Sequence, residues 1–93
     1  MTILKQPLSI QDKQILSLPG NDIEPLSVKE QNGRLVMYYK TDLDLHSISQ
    51  EGPFKDTTIL IAGTGHTRSD IEKAKYIGTV VMSNGLVWHC FKE

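Results

Sequence analysis

The sequence predicts a small, mainly β protein: an antiparallel sheet, sandwich or partly open barrel with at most one short helical turn. Two Asn-Gly dipeptides, at residues 32–33 and 84–85, each lie between apolar segments. Asn-Gly favours two-residue hairpin turns, because both residues tolerate a positive φ. A third observation is the β-branched run at residues 57–62, whose continuous apolar composition is typical of a central strand covered on both faces.

One predicted strand and one short apolar run precede the first hairpin. Residues 2–10 form the first, and Pro7, which has no N–H for the sheet ladder, indicates that this strand lies at an edge. Residues 15–18 form a second short apolar run. The Pro-Gly-Asn-Asp cluster at 19–22 that ends this run has the composition of a turn.

The first hairpin is predicted with its register. A two-residue type I′ turn at residues 32–33 pairs Val28 with Met37. One face is then apolar and the other mostly polar, as in a sheet with one solvated face. The apolar face is predicted to hold Leu26, Val28, Leu35, Met37 and Tyr39.

The second hairpin completes the chain, and both of its predicted faces are apolar. A two-residue turn at 84–85 pairs Val81 with Trp88 and Val80 with His89. The faces are predicted to hold Ile77, Val81, Leu86, Trp88 and Cys90 on one side and Val80, Met82, Val87, His89 and Phe91 on the other. Two apolar faces indicate either full burial or contact with another subunit, so a homo-oligomer is expected.

Two segments lack a strand pattern. Residues 41–56 are predicted to be a surface connection. Ser69, followed three residues later by Glu72, has the form of a capping box and predicts one helical turn that ends by Lys75.

Length and charge bound the function. The 93 residues are the size of one domain, residues 1–93, and 39% hydrophobic and 23% charged residues are ordinary for a globular protein. A formal charge of −1 argues against binding duplex nucleic acid through bulk charge. No signal-peptide pattern and no apolar run of about 20 residues is present, so a cytoplasmic location and no membrane contact are expected.

Cys90 is the only cysteine, which rules out an intramolecular disulfide and suits a reducing compartment. It is predicted to be a small buried thiol and not a nucleophile, because apolar residues share its strand face. The three histidines lie far apart and lack metal-ligand spacing. We therefore expect no catalytic residue, no metal and no cofactor.

The segment 63–68 carries the residue types of a site for a small anionic ligand. Two glycines around a threonine allow successive N–H groups to converge on an anion, and the hydroxyls, imidazole and guanidinium add further donors. The alternative is a tight strand exit in which glycine supplies a positive φ. Trp88 is either a core anchor or a platform on which a ring stacks. The predicted ligand-binding residues are Gly63, Thr64, Gly65, His66, Thr67, Arg68 and Trp88.

Three short motifs carry a family resemblance. Gly-Thr-Gly-His at 63–66, Tyr-Ile-Gly-Thr at 76–79 and Gly-Leu-Val-Trp-His at 85–89 resemble a group of short uncharacterised proteins of bacteriophages and prophages. Thr67 stands where members of that group often have proline. The resemblance implies a phage accessory protein in the host bacterial cytoplasm, and it brings no established activity.

Together these observations predict a non-enzymatic binding protein. The expected ligand is small, anionic and nucleotide-like, for example a nucleotide immune signal that an anti-defence protein sequesters. The alternative is a protein-interaction module that inhibits a host bacterial factor through an exposed sheet face or edge.

Overall fold

The computed structural model describes residues 1–93 and contains seven strands and two 3-10 turns, so the predicted mainly β class is confirmed. The strands are β1 (Thr2–Leu8), β2 (Lys13–Pro19), β3 (Ile23–Gln31), β4 (Arg34–Thr41), β5 (Phe54–Gly63), β6 (Lys75–Val81) and β7 (Val87–Lys92). One 3-10 turn is Ser69–Ile71, at the predicted place; the other, Leu45–Ser47, lies in the predicted surface connection. The capping box does not form, because no side chain caps the Ser69 turn.

The strands form a sandwich of two antiparallel sheets. The three-stranded sheet has the order β1-β4-β3, and the four-stranded sheet has the order β2-β5-β7-β6. Their inner faces share one apolar core, whose members are Leu8, Leu18, Ile23, Leu35, Met37, Tyr39, Ile59, Ile61, Val80, Met82 and Cys90. Pro7 lies in β1, an edge strand, as predicted.

The run at 57–62 is the centre of β5, which lies between β2 and β7. Ile59 and Ile61 point into the core. Leu60 and Ala62 alternate to the outer face and are nevertheless buried. β5 and β6 lie on either side of β7, so the connection 64–74 has to cross one face of the sheet. The inner face is packed on the other sheet, which leaves the outer face, where Leu60 and Ala62 lie, for this connection. The prediction of a central strand covered on both faces is confirmed.

The first hairpin has the predicted turn and register. Asn32 and Gly33 have φ values of 52° and 78°, as a type I′ turn requires, and Val28 pairs with Met37. One prediction for this hairpin is wrong: Leu26 does not lie on the core face and is 41% exposed. A register shift between Pro25 and Ser27 places Leu26 in a β-bulge and turns it outward.

The second hairpin exists, but its predicted register is wrong by one residue. Val80 pairs with Trp88 and Val81 pairs with Val87. The loop has three residues, 83–85, because the N–H of Met82 donates to Leu86 and only Gly85 has a positive φ, of 87°. The inner face therefore carries Val80, Met82, Trp88 and Cys90, and the outer face carries Tyr76, Thr79, Val81, Val87, His89 and Phe91.

The two hairpins meet where β3 lies beside β6. A Cβ atom at Gly78 would stand 3.0 Å from Cγ2 of Val28, so the close approach depends on glycine at this position. At the tip of the second hairpin, Glu30 accepts hydrogen bonds from the N–H and the hydroxyl of Ser83, at 2.8 and 3.1 Å. These contacts attach the second hairpin to the first. No helix in the structure has the length and apolar character needed to cross a membrane.

Candidate functional site

The β5–β7 ladder brings two distant parts of the predicted site together. Gly63, the last residue of β5, pairs with Trp88 near the start of β7. The turn after β5 and the end of the second hairpin therefore form the walls of one pocket of about 400 Å³, within the size range of small-molecule sites. It is lined by Gly63, Thr64, His66, Gly85, Leu86, Val87 and Trp88. We call it the Trp88 pocket.

The segment 63–66 is a four-residue turn. The N–H of His66 donates to the carbonyl of Gly63 at 3.3 Å, and Gly65 has a φ of 88°. A turn with positive φ only at its third residue is of type II, which explains glycine at position 65. The tight strand exit is thus the interpretation that the backbone supports. The N–H groups of Thr64 and Gly65 have no partner within the chain.

His66 folds back over the end of β5. A Cβ atom at Gly63 would lie 3.0 Å from Cε1 of the His66 ring, so glycine is what lets the imidazole rest on the backbone here. The ring is exposed and lines the Trp88 pocket. Trp88 is half-buried and packs against the core, so it serves as a core anchor with part of its surface in the pocket wall.

A chain of hydrogen bonds joins this turn to the outer face of the second hairpin. The Thr64 hydroxyl lies 2.8 Å from Nε2 of His89. Nδ1 of His89 lies 2.9 Å from the hydroxyl of Thr79, which is in turn bonded to the phenol of Tyr76. Both ring nitrogens of His89 are therefore engaged. We call these four residues the His89 network.

Sequence reasoning missed the His89 network. The predicted register paired His89 with Val80, whereas the observed register places it opposite Thr79. The available signal was a hydroxyl residue, Thr79, and an imidazole residue, His89, on neighbouring strands. The two come opposite each other only when the strands are aligned with the three-residue loop.

Arg68 was predicted to bind the ligand, but its guanidinium is engaged elsewhere. It donates to both carboxylate oxygens of Asp70 and to the backbone carbonyls of Ile61 and Asp12. The hydrogen bond with Asp70 raises the pKa of the guanidinium, and the same contact lowers the pKa of the Asp70 carboxyl. The Arg68 side chain is only 15% exposed and lies outside the Trp88 pocket. Arg68 thus closes the end of the β2–β5 ladder.

Three other residues lie off the pocket. Gly65 and Thr67, both predicted to bind the ligand, are exposed and do not line it. Cys90 is completely buried, as predicted, and desolvation raises the pKa of its thiol to about 12. Such a thiol carries almost no thiolate near neutral pH, and the thiolate is the nucleophilic form. Cys90 and His89 point to opposite faces of β7.

A smaller cleft of about 180 Å³ lies at the ends of β3 and β4. It is lined by Met1, Asp22, Glu24, Lys40, Thr41 and Asp42. The N–H groups of Asp22 and Asn21 donate to Asp42 and lower the pKa of its carboxyl. Lys40 pairs with Glu24 at 3.0 Å. These charged groups bind one another and the β2–β3 turn, so the cleft is a weaker candidate than the Trp88 pocket. No group of three or more potential metal-binding side chains comes together in the structure.

Fold and site together define a β-sandwich protein with a pocket at the end of its four-stranded sheet that has Trp88 in its wall. The chain belongs to a family described as a domain of unknown function, DUF7352, whose model matches residues 1–93. No curated protein and no solved structure matches the chain.

Proposed function

We propose that this protein is a non-enzymatic binding protein that takes a small anionic ligand with a planar ring, such as a nucleotide, in the Trp88 pocket. The observation that supports this most directly is the convergence of the 63–66 turn and Trp88 on one pocket. An aromatic wall favours a stacked base, and two further lining residues, His66 and Thr64, have an imidazole and a hydroxyl. The chain as a whole has no positive field, so local donors have to hold the anion.

Within this proposal the base stacks on the exposed part of Trp88, and the phosphate lies against the turn. His66 and the free N–H group of Thr64 are the donors on that side. Leu86 adds apolar contact at the rim. Arg68 has no place in this arrangement, because its donors already have partners.

The biological context is also a proposal and rests on the resemblance to short phage and prophage proteins. In that context the protein acts in the host bacterial cytoplasm as an anti-defence sponge that removes a nucleotide immune signal. Assembly as a homo-oligomer is consistent with the outer face of the second hairpin, where Val81 is 70% exposed and Tyr76 is 56% exposed.

The test uses Trp88 itself, since it is the only tryptophan in the chain. Titration with adenosine and guanosine monophosphates should change its fluorescence, and calorimetry should give a matching affinity. His66→Ala should weaken binding by about tenfold, the range for loss of a hydrogen bond to a charged group. His46→Ala is the matched control, because His46 is exposed and lies outside the pocket. Absence of both signals with wild-type protein would contradict the proposal.

A second candidate function, inhibition of a host protein, is favoured by the exposed apolar side chains of the second hairpin, Tyr76, Val81 and Leu86. In a pull-down from bacterial lysate, one stoichiometric host protein that is lost with Val81→Asp would support it. Retention of that protein by the variant would place the contact elsewhere.

A further inference from the structure

Thr64 belongs to two structures at once. The residue lines the Trp88 pocket, and its hydroxyl is the first member of the His89 network. We infer that Thr64 is the donor that selects a phosphoryl oxygen of the ligand, and that His89 and Thr79 are positioning residues that orient its hydroxyl. This inference rests on the proposed function and adds the group that distinguishes a nucleotide from a nucleoside.

The argument follows from the donors and acceptors in the network. A neutral imidazole donates from one ring nitrogen and accepts at the other. If Nε2–H of His89 donates to Thr64, the Thr64 O–H is free to point into the pocket. Nδ1 then accepts the O–H of Thr79, whose oxygen accepts the O–H of Tyr76. In this direction every bond is satisfied, and the Thr64 O–H is free to donate to a ligand.

The opposite direction has a different outcome for the ligand. If the Thr64 O–H donates to Nε2, its oxygen offers the pocket only lone pairs, and Nδ1–H donates to Thr79. An anionic oxygen in the pocket stabilises the first direction and disfavours the second. Because hydrogen bonds in a chain polarise one another, the network strengthens a donor aimed at an anion. The network therefore gives Thr64 a preference for charged oxygen.

The experiment compares adenosine 5′-monophosphate with adenosine by calorimetry on the full chain. Wild-type protein should bind the nucleotide more tightly than the nucleoside. Thr64→Val should lower affinity for the nucleotide by about tenfold to a hundredfold, the range for a hydrogen bond to a charged group, and so remove most of the preference for the nucleotide over the nucleoside. Thr64→Ser keeps the hydroxyl and should restore the preference.

The positioning residues have their own variants. His89→Phe and Thr79→Val should reduce the same preference by several-fold, and Thr79→Ser should restore it. Combining Thr64→Val with His89→Phe should cost no more than Thr64→Val alone, since both remove the same oriented donor. Additive losses would overturn the positioning role. Thr64 and Thr79 are exposed, so circular dichroism should show unchanged folding of their variants.

The outcomes separate this inference from the proposed function. If wild-type protein binds neither compound, the proposed function fails and the inference fails with it. If wild-type protein binds the nucleotide and Thr64→Val binds it equally well, only the role of Thr64 is overturned. Hydrolysis of a p-nitrophenyl ester by wild-type protein that is lost in Thr64→Val would also overturn it, because Thr64 would then be a nucleophile oriented by His89.

Discussion

The two hairpins close with the same dipeptide and adopt different turns. At the first tip, Asn32 and Gly33 both have positive φ, and the loop has two residues. At the second tip only Gly85 does, and the loop has three. The one-residue difference decides which side chains of the second hairpin enter the core, because successive residues of a strand face opposite sides.

Two contacts explain the different behaviour of the second tip. The Asn84 side chain accepts a hydrogen bond from the N–H of Leu86 at 3.0 Å, an Asx-type bond that does not need a positive φ at Asn84. Glu30, from the first hairpin, holds the N–H and hydroxyl of Ser83. The Asn-Gly dipeptide thus predicts where a chain turns, whereas burial and distant partners decide the register.

Two adjacent valines give the strongest test of this register. Val80 is buried and Val81 is 70% exposed, whereas the two-residue turn would pair Val81, not Val80, with Trp88. Val80→Asp should cost about 4 kcal/mol of the free energy of unfolding, because it buries an unpaired charge. Val81→Asp should change it by less than about 0.5 kcal/mol. Urea denaturation measures both, and the reverse order of effects would contradict the observed register.

The contact between the hairpins can be broken at Gly78. Gly78→Val should cost about 2 kcal/mol, because the added methyl groups meet the side chain of Val28. Val28→Ala makes room for them. The double variant should therefore be more stable than the sum of the two single changes predicts, as measured by thermal unfolding. Strict additivity would mean that these residues do not touch.

The burial of Cys90 predicts a dependence on pH. Between pH 9.0, the ordinary thiol pKa, and about 12, the unfolded chain loses the Cys90 proton and the folded chain keeps it. Stability should consequently fall as pH rises above 9.0, by about 1.4 kcal/mol per pH unit from this group alone. Cys90→Ala lacks this contribution, so its stability curve should fall less steeply. Parallel curves for the two proteins would place the thiol outside the core.

The smallest expected effect compares the two turn asparagines. Asn32→Gly should be nearly neutral, within about 0.5 kcal/mol, because glycine adopts the positive φ of this position readily. Asn84→Gly should cost about 1 kcal/mol, since it removes the acceptor of the Leu86 N–H. Equal costs in chemical denaturation would show that the two turns do not differ as described.

Local signals predicted the features that depend on near neighbours. The first hairpin needs only two residues that tolerate positive φ, so its turn and register follow from Asn32-Gly33. The edge position of Pro7 and the burial of 59–62 follow equally from backbone chemistry and apolar composition. The segment 63–66 and Trp88 were assigned to one ligand site from residue type alone, because their proximity depends on the β5–β7 ladder and has no local signal.

Contacts between distant residues could not be predicted in this way. Arg68 was assigned to a ligand because its guanidinium suits anions, but the carbonyl it binds at Asp12 lies 56 residues away in sequence. The His89 network was missed because its members meet only in the observed register. Both cases involve the same physical limit: a side chain's type is visible in sequence, and its partner is not.

The course of the chain between the sheets has a consequence for how the protein can be divided. A cut in the connection 42–53 would leave one polypeptide with β1–β4 and another with β5–β7. The second would lack β2, which forms a seven-residue ladder with β5 and borders the four-stranded sheet. Each fragment would thus expose an apolar surface that the other covers. The two fragments are therefore complementary: β2 belongs to the first fragment in sequence and to the four-stranded sheet of the second fragment in the structure.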